Sequence, residues 1–80
     1  DLRAGVKTFL NRYWESISDY SKAIELDPKN SYLYFVRGMS YEYLNQNEEA
    51  LKNLKMSLEI EPGFSLALSM IDYLENEKDS

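Results

Sequence analysis

Paired carboxylates are the residues of this sequence whose types and spacing could support chemistry. Three pairs stand close together along the chain: Glu48 with Glu49, Glu59 with Glu61, and Asp72 with Glu75. Two neighbouring carboxylates can act as acid and base when burial separates their pKa values, and oxygen clusters bind hard cations. We expect these pairs at helix starts, helix ends and polar faces, so a solvated surface is the first interpretation. Catalysis or metal binding is the alternative.

The composition removes most other catalytic chemistry. The 80 residues include no cysteine and no histidine, which excludes thiolate nucleophiles, imidazole bases and zinc–thiolate sites within this sequence. No glycine-rich phosphate loop and no nucleotide-binding fingerprint occurs, and we expect no cofactor. A hydrolase that works with carboxylates alone stays as the enzymatic alternative to a protein without catalytic activity.

The charge of the chain limits its partners. A net charge of −5 disfavours nucleic acids and anionic membrane surfaces, because both attract patches of lysine and arginine. The sequence has no apolar run of about 18 residues, so we expect no membrane insertion. The 44% of hydrophobic residues is typical of a folded chain, and the length corresponds to one domain, residues 1–80. Because the sequence opens on Asp1, we expect it to be part of a longer protein or a trimmed chain.

Two prolines mark the segments that must position any site. Pro62 lies 34 residues after Pro28, and each ends a similar phrase, AIELDP and SLEIEP. Because proline cannot continue a helix, one helix should end near Asp27 and another near Glu61. The apolar positions before the two prolines also match at this separation and have helical spacing. The sequence therefore contains an internal repeat of helices, which must stack to bury their apolar faces.

Periodicity and the breaks between periodic segments predict five helices. Their predicted ranges are 2–11, 14–27, 31–44, 47–60 and 64–77. The helix over 31–44 has two apolar stripes, so it is packed on both sides or leaves one face for a partner. Trp14 follows Tyr13 at the start of the second predicted helix. We expect Trp14 to staple the turn before that helix, and an exposed anchor is the alternative.

This pattern resembles the tetratricopeptide repeat family over essentially the whole chain. Residues 31–64 resemble a full repeat, residues 1–30 a truncated repeat, and residues 64–77 a cap-like helix, with 65–80 as capping helix and tail. The full repeat has the family's aromatic, small, large and terminating residues at Tyr34, Gly38, Tyr41, Ala50, Leu54, Ser57 and Pro62. The resemblance implies an all-α, right-handed solenoid of antiparallel helix pairs, in which small residues allow close approach.

The resemblance also implies that the first helix of each pair lines a concave groove for a protein or peptide partner. The residues at the matching positions lie on three successive first helices: Phe9, Tyr32, Phe35, Met39, Glu42, Tyr43, Leu66, Ser69, Met70 and Tyr73. An apolar, aromatic surface is typical of an interaction site, and an amphipathic helix or an extended apolar peptide would fit it. The alternative is that Tyr32, Phe35 and Met39 pack against residues outside this sequence.

A well-known use of the family is to clamp a C-terminal carboxylate with lysine, asparagine and arginine. The matching positions hold Asp1, Gly5, Val36, Leu66 and Met70, or start at Phe35 and Met39 in the other register. Neither set includes a cation, so we do not expect a carboxylate clamp in this segment. Self-association is the alternative to a peptide guest, because a solenoid end without a polar cap exposes apolar surface. A second copy of the chain, forming a homo-oligomer, is therefore a further candidate partner.

Overall fold

The computed structural model describes residues 2–79, with side chains described for residues 10–76. These residues form four α-helices and no strand: α1 (Leu2–Leu26), α2 (Ser31–Tyr43), α3 (Asn47–Ile60) and α4 (Ser65–Asp79). Helix α2 packs against both α1 and α3, and α4 packs against α3. The all-α solenoid class that the sequence predicts is confirmed.

Helix α1 shows that the prediction of five helices was wrong. We predicted separate helices over 2–11 and 14–27, but α1 runs without interruption for 25 residues. The stretch around Arg12 contains neither proline nor glycine, so no residue there forces the backbone out of helical geometry. At about 1.5 Å per residue, α1 is about 37 Å long and roughly twice as long as α2.

The second half of α1 runs antiparallel to α2. The ring of Tyr13 stacks on the ring of Tyr43, the last residue of α2, with 4.9 Å between their centroids. Further along α1, Ile17 and Ile24 are buried. Because Tyr13 lies level with the end of α2, the part of α1 that precedes it continues past that end.

Helices α2 and α3 pack closely because small residues face each other. A Cβ atom added to Gly38 would lie only 3.1 Å from the carbonyl oxygen of Ala50. Ala50 has no exposed surface, and neither has Leu54 one turn further on. The hydroxyl of Ser57 donates a hydrogen bond of 2.9 Å to the carbonyl oxygen of Ser31. Small residues at this contact let the two helix axes approach.

The connections between the helices depend on asparagine and proline. Asn45, between α2 and α3, has a φ of 62°, which asparagine adopts more readily than most residues. At the start of α2, the side chain of Asn30 accepts a hydrogen bond of 3.1 Å from the backbone N–H of Tyr32. This is an N-cap, which satisfies a donor that the helix itself leaves unpaired. Pro28 and Pro62 follow the ends of α1 and α3.

The hydrophobic core lies between α2, α3 and α4. Its buried members are Phe35, Ala50, Leu54, Ala67 and Leu74. Half-buried side chains surround them, among them Met39 from α2 and Met70 from α4. This shared core fixes how α4 lies against the α2–α3 pair.

A polar link centred on Arg37 joins three helices. Its Nε donates to Oδ1 of Asn53 on α3, and its Nη1 donates to Oγ of Ser21 on α1 at 3.1 Å. Its Cζ lies 5.4 Å from the centroid of the Tyr34 ring. The guanidinium therefore stays beside α1 and α3, and it leaves the opposite face of α2 without a positive charge.

Candidate interaction surface

Large exposed side chains on α2 and α4 define a candidate interaction surface. Tyr32 and Tyr43 on α2 are 57% and 51% exposed, and Leu66 and Tyr73 on α4 are 56% and 53% exposed. Tyr32 and Leu66 occupy equivalent positions, since they lie one repeat apart in the sequence. Helical spacing places the members from each helix on one side of that helix. We call these four residues, with the predicted residues between them, the α2–α4 surface.

The other predicted residues of the α2–α4 surface differ in exposure. Met39 and Met70 are half-buried and pack against the core from α2 and α4 respectively. Glu42 is half-buried and Ser69 is exposed. Ser69 and Tyr73 line a shallow pocket together with Asp72 and Asn76.

Phe35 lies in the core and not on the open surface where we expected it. It is only 7% exposed, because its ring packs against Phe64 with 5.2 Å between the centroids. The ring of Tyr32 also contacts it, with 6.2 Å between the centroids. Phe35 therefore contributes to the packing of α4 and leaves almost no surface for a guest. Phe9, which was also predicted, lies outside the residues whose side chains are described.

Two aromatic pairs attach α1 beside the α2–α4 surface. Tyr43 stacks on Tyr13, a residue that the groove prediction did not include. Trp14 meets Tyr41 edge-on at 6.2 Å and remains 48% exposed. Since α1 continues through residue 14, the prediction that Trp14 staples a turn is wrong. The stacking of Tyr13 on Tyr43 could not be predicted from the spacing of apolar residues within a helix, because the two residues come from different repeats.

The margins of the α2–α4 surface carry negative charge. Glu42 lies on α2, and Asp72 lines the pocket on α4. Helix α2 has one cation, Arg37, which points toward α1 and α3. Residues 65–76 of α4 include no lysine and no arginine. The surface is therefore apolar in its centre and acidic at its edge.

The carboxylate pairs lie on the solvated surface. Glu48, Glu59 and Asp72 are exposed, and Glu49 is half-buried beside Lys52 at 3.7 Å. An oxygen of Glu61 accepts a hydrogen bond from the hydroxyl of Ser31. Among the described side chains, no group of three or more could hold a metal ion. Within the same part of the chain, no helix is long and apolar enough to cross a membrane.

Two models of the tetratricopeptide repeat family match the chain, one over residues 19–52 and the other over residues 2–30. Together they cover more than half of it. The stacked antiparallel helices and the close contact of Gly38 with Ala50 agree with these matches. The chain therefore belongs to the tetratricopeptide repeat family. It is a protein–protein interaction module with a non-catalytic fold, and its division at residues 30 and 64 stays a prediction.

Curated relatives include sperm-associated antigen 1 of Mus musculus, which is 32% identical over 75 residues, 94% of this chain and 8% of that protein. The protein of the same name from Rattus norvegicus has the same identity and coverage. Protein STIP1 homolog of Dictyostelium discoideum is 40% identical over 53 residues, 66% of this chain and 9% of that protein. The chain thus spans less than a tenth of the length of these relatives. No solved structure matches it significantly.

Proposed function

We propose that the α2–α4 surface binds the apolar face of a basic amphipathic helix or peptide, and that the chain catalyses no reaction. The observation that carries this proposal is the row of four half-exposed large side chains, Tyr32, Tyr43, Leu66 and Tyr73. Removing such apolar area from water favours a complex by about 25 cal/mol per Å², before the entropic cost of association is subtracted. Aromatic side chains are also frequent anchors of binding energy.

The packing beneath the surface supports binding without large rearrangement. Met39 and Met70 pack against the buried core, so the helices that present the exposed side chains are held in place. A preformed surface lowers the entropic cost of binding, because fewer groups must be ordered when the partner arrives. Methionine also adapts its shape to different apolar partners.

The charge at the margins selects the chemistry of the partner. Glu42 and Asp72 border the apolar centre, and the cation of α2 is directed elsewhere. A partner with lysine or arginine beside its apolar residues complements this distribution, whereas an acidic tail is repelled. No carboxylate of these pairs is fully buried, as acid–base catalysis by two carboxylates needs, which supports a non-catalytic role.

Two designed peptides and two charge-matched variants test the proposal. One peptide helix has leucines on one face and lysines on the other, and the second has glutamates in place of the lysines. Fluorescence anisotropy of the labelled peptides should show binding of the lysine peptide alone. Leu66→Glu should weaken that binding about tenfold or more, equivalent to about 1.4 kcal/mol.

The control is Leu68→Glu, because Leu68 is 49% exposed on the same helix but is turned about 200° from Leu66. Both variants add the same charge, so non-specific attraction to the lysine peptide changes equally. Circular dichroism should show unchanged helix content in both. Equal affinities for the two variants would refute the α2–α4 surface as the binding site.

A further inference from the structure

Arg37 is a half-buried cation that has no counter-ion among the described residues. Its Nε and Nη1 each donate one hydrogen bond, to Asn53 and to Ser21, and both acceptors are uncharged. A guanidinium has five N–H donors, so three remain. Within residues 10–76, these three meet no hydrogen-bond acceptor, and no carboxylate oxygen lies within 4 Å of the guanidinium. A negative partner would offset the cost of holding this charge partly out of water.

The two acceptors hold the guanidinium in one orientation. The side-chain amide of Asn53 donates a hydrogen bond of 2.8 Å to the carbonyl oxygen of Glu49, so its oxygen is left to accept from Arg37. The hydroxyl of Ser21 donates at 2.8 Å to the carbonyl oxygen of Ile17 and accepts from Arg37. Because each acceptor is fixed by its own helix, an arriving anion meets donors that are already in place.

The remaining donors of Arg37 can be reached from a pocket along α3. Among the described side chains, no nitrogen or oxygen is both buried and without a hydrogen bond, so Nη2 of Arg37 is accessible to solvent. The pocket has a volume of about 390 Å³. It is lined by Arg37 and by residues of α3: Glu49, Lys52, Asn53, Lys55, Met56 and Glu59. We call it the Arg37 pocket.

We propose that the Arg37 pocket binds an aspartate or glutamate side chain of a protein partner through the remaining N–H groups of Arg37. A planar guanidinium presents parallel donors that match the two oxygens of a carboxylate. The side chain of Lys52 is 78% exposed, so it can turn toward the same anion. Met56, which is 40% exposed, offers apolar surface to the methylene groups that carry the carboxylate.

The charge of the lining selects a ligand with one negative charge. The cations Arg37, Lys52 and Lys55 outnumber the carboxylates Glu49 and Glu59 by one. A single carboxylate balances this difference. A phosphoryl group, with about −1.5 to −2 charge, exceeds it and is repelled by the two glutamates.

Packing alone does not require a charge at position 37. Ile71 lies one repeat later, at the equivalent position of α4, and packs against the hydrophobic core. An aliphatic side chain therefore suits this place in the fold. The guanidinium costs free energy to desolvate and an aliphatic side chain does not, which supports a binding role for Arg37.

The Arg37 pocket and the α2–α4 surface are tested independently. A contact with one carboxylate should have a dissociation constant on the order of millimolar, so the labelled glutamate peptide, used far below that concentration, leaves the pocket almost empty. Failure of the lysine peptide to bind would refute the proposed function and would not bear on the Arg37 pocket. The reverse holds for the experiment that follows.

Nuclear magnetic resonance of the arginine Nε–H groups tests the site, with the exposed Arg12 as the control within the same chain. The probes are a capped Ala-Glu-Ala tripeptide and the same tripeptide with glutamine, at an ionic strength held constant with sodium chloride. The glutamate tripeptide should shift the Arg37 cross peak to saturation and leave the Arg12 cross peak in place. Equal shifts from the two tripeptides, or equal shifts of the two arginines, would overturn the proposal.

Two lysine variants with the same change of charge locate the site. Lys52→Gln should weaken binding of the glutamate tripeptide about twofold to fivefold, the range of an exposed ion pair. Lys29→Gln removes the same charge from an exposed residue before α2 and should leave the affinity unchanged. Both variants keep the Arg37 link between the helices, so they are decisive even where Arg37→Gln lowers stability. Equal affinities of the two lysine variants would refute the Arg37 pocket.

Acetate distinguishes a side chain of a protein partner from a small free carboxylate. The glutamate tripeptide should bind several-fold more tightly than acetate, because its methylene groups also contact Met56. The methyl resonance of Met56 should therefore shift with the tripeptide and not with acetate. Equal affinities for acetate and the tripeptide would overturn the assignment to a protein partner.

Discussion

At the residue scale, Gly38 sets the distance between α2 and α3. A side chain there would meet the carbonyl oxygen of Ala50 at 3.1 Å and Cγ of Leu54 at 3.2 Å. The oxygen belongs to the backbone of α3, so it cannot rotate away as the end of a flexible side chain could. Gly63, in the connection before α4, has no atom within 4 Å of an added Cβ.

Gly38→Val should therefore lower the free energy of unfolding by about 1–3 kcal/mol, the usual cost of overpacking a close contact. Gly63→Val, the same change in open space, should shift it by less than about 0.5 kcal/mol. Urea unfolding followed by circular dichroism, at one fixed chain concentration, measures both. Similar small shifts for the two variants would contradict the close contact at Gly38.

Phe35 shows how far the candidate site could be predicted from the sequence. The helical spacing identified the apolar stripe of α2 correctly, and Tyr32 and Tyr43 on that helix are exposed. Spacing within one helix does not, however, show which side chains of a later segment pack against it. The ring that covers Phe35 comes from Phe64, just before α4, and only the three-dimensional structure brings the two together.

At the scale of the helices, two equivalent asparagines adopt different conformations. The backbone of Asn45 is in the left-handed region. Its N–H donates to the carbonyl oxygen of Glu42, and the N–H of Gln46 donates to the carbonyl oxygen of Tyr41, each at 2.9 Å. Asn11, one repeat earlier, lies within a continuous helix. The bounds of α3 were predictable because proline and acidic residues mark them, whereas asparagine alone permits either a turn or a helix. This is why the predicted break in α1 was wrong.

The same substitution at these two positions should therefore have different effects. Asn45→Val should lower the free energy of unfolding by about 1–2 kcal/mol, because a β-branched residue is strained in the left-handed region. Asn11→Val should change it by less than about 0.5 kcal/mol, since valine and asparagine have similar helix propensities. Urea unfolding of both variants measures the difference. A comparable loss at residue 11 would mean that this residue forms a turn.

At the scale of the whole molecule, the two sides of the chain have different chemistry. The α2–α4 surface is apolar with acidic margins, and the chain as a whole has a net charge of −5. Helix α1 instead contacts the end of α2 through uncharged aromatic rings, such as Trp14 against Tyr41. We therefore expect a charged partner at the α2–α4 surface and not at this junction of α1 with α2.

The long-range part of peptide binding should depend on salt. The Debye length falls from about 10 Å at 0.1 M to about 3 Å at 1 M ionic strength, so attraction between the acidic margins and a lysine peptide is screened. We expect its affinity to fall steadily as sodium chloride is raised, while the residual apolar component persists. Anisotropy titrations at several salt concentrations measure this. An affinity that does not change with salt would contradict the role of Glu42 and Asp72.

Trp14 is the single tryptophan of the chain, and it lies at the midpoint of α1 with its indole against Tyr41. Because the indole is half exposed, its emission maximum responds to any surface that covers it. A red shift together with loss of energy transfer from Tyr41 would record the separation of α1 from α2. The chain thus carries a built-in optical probe of its own folding, which needs no label.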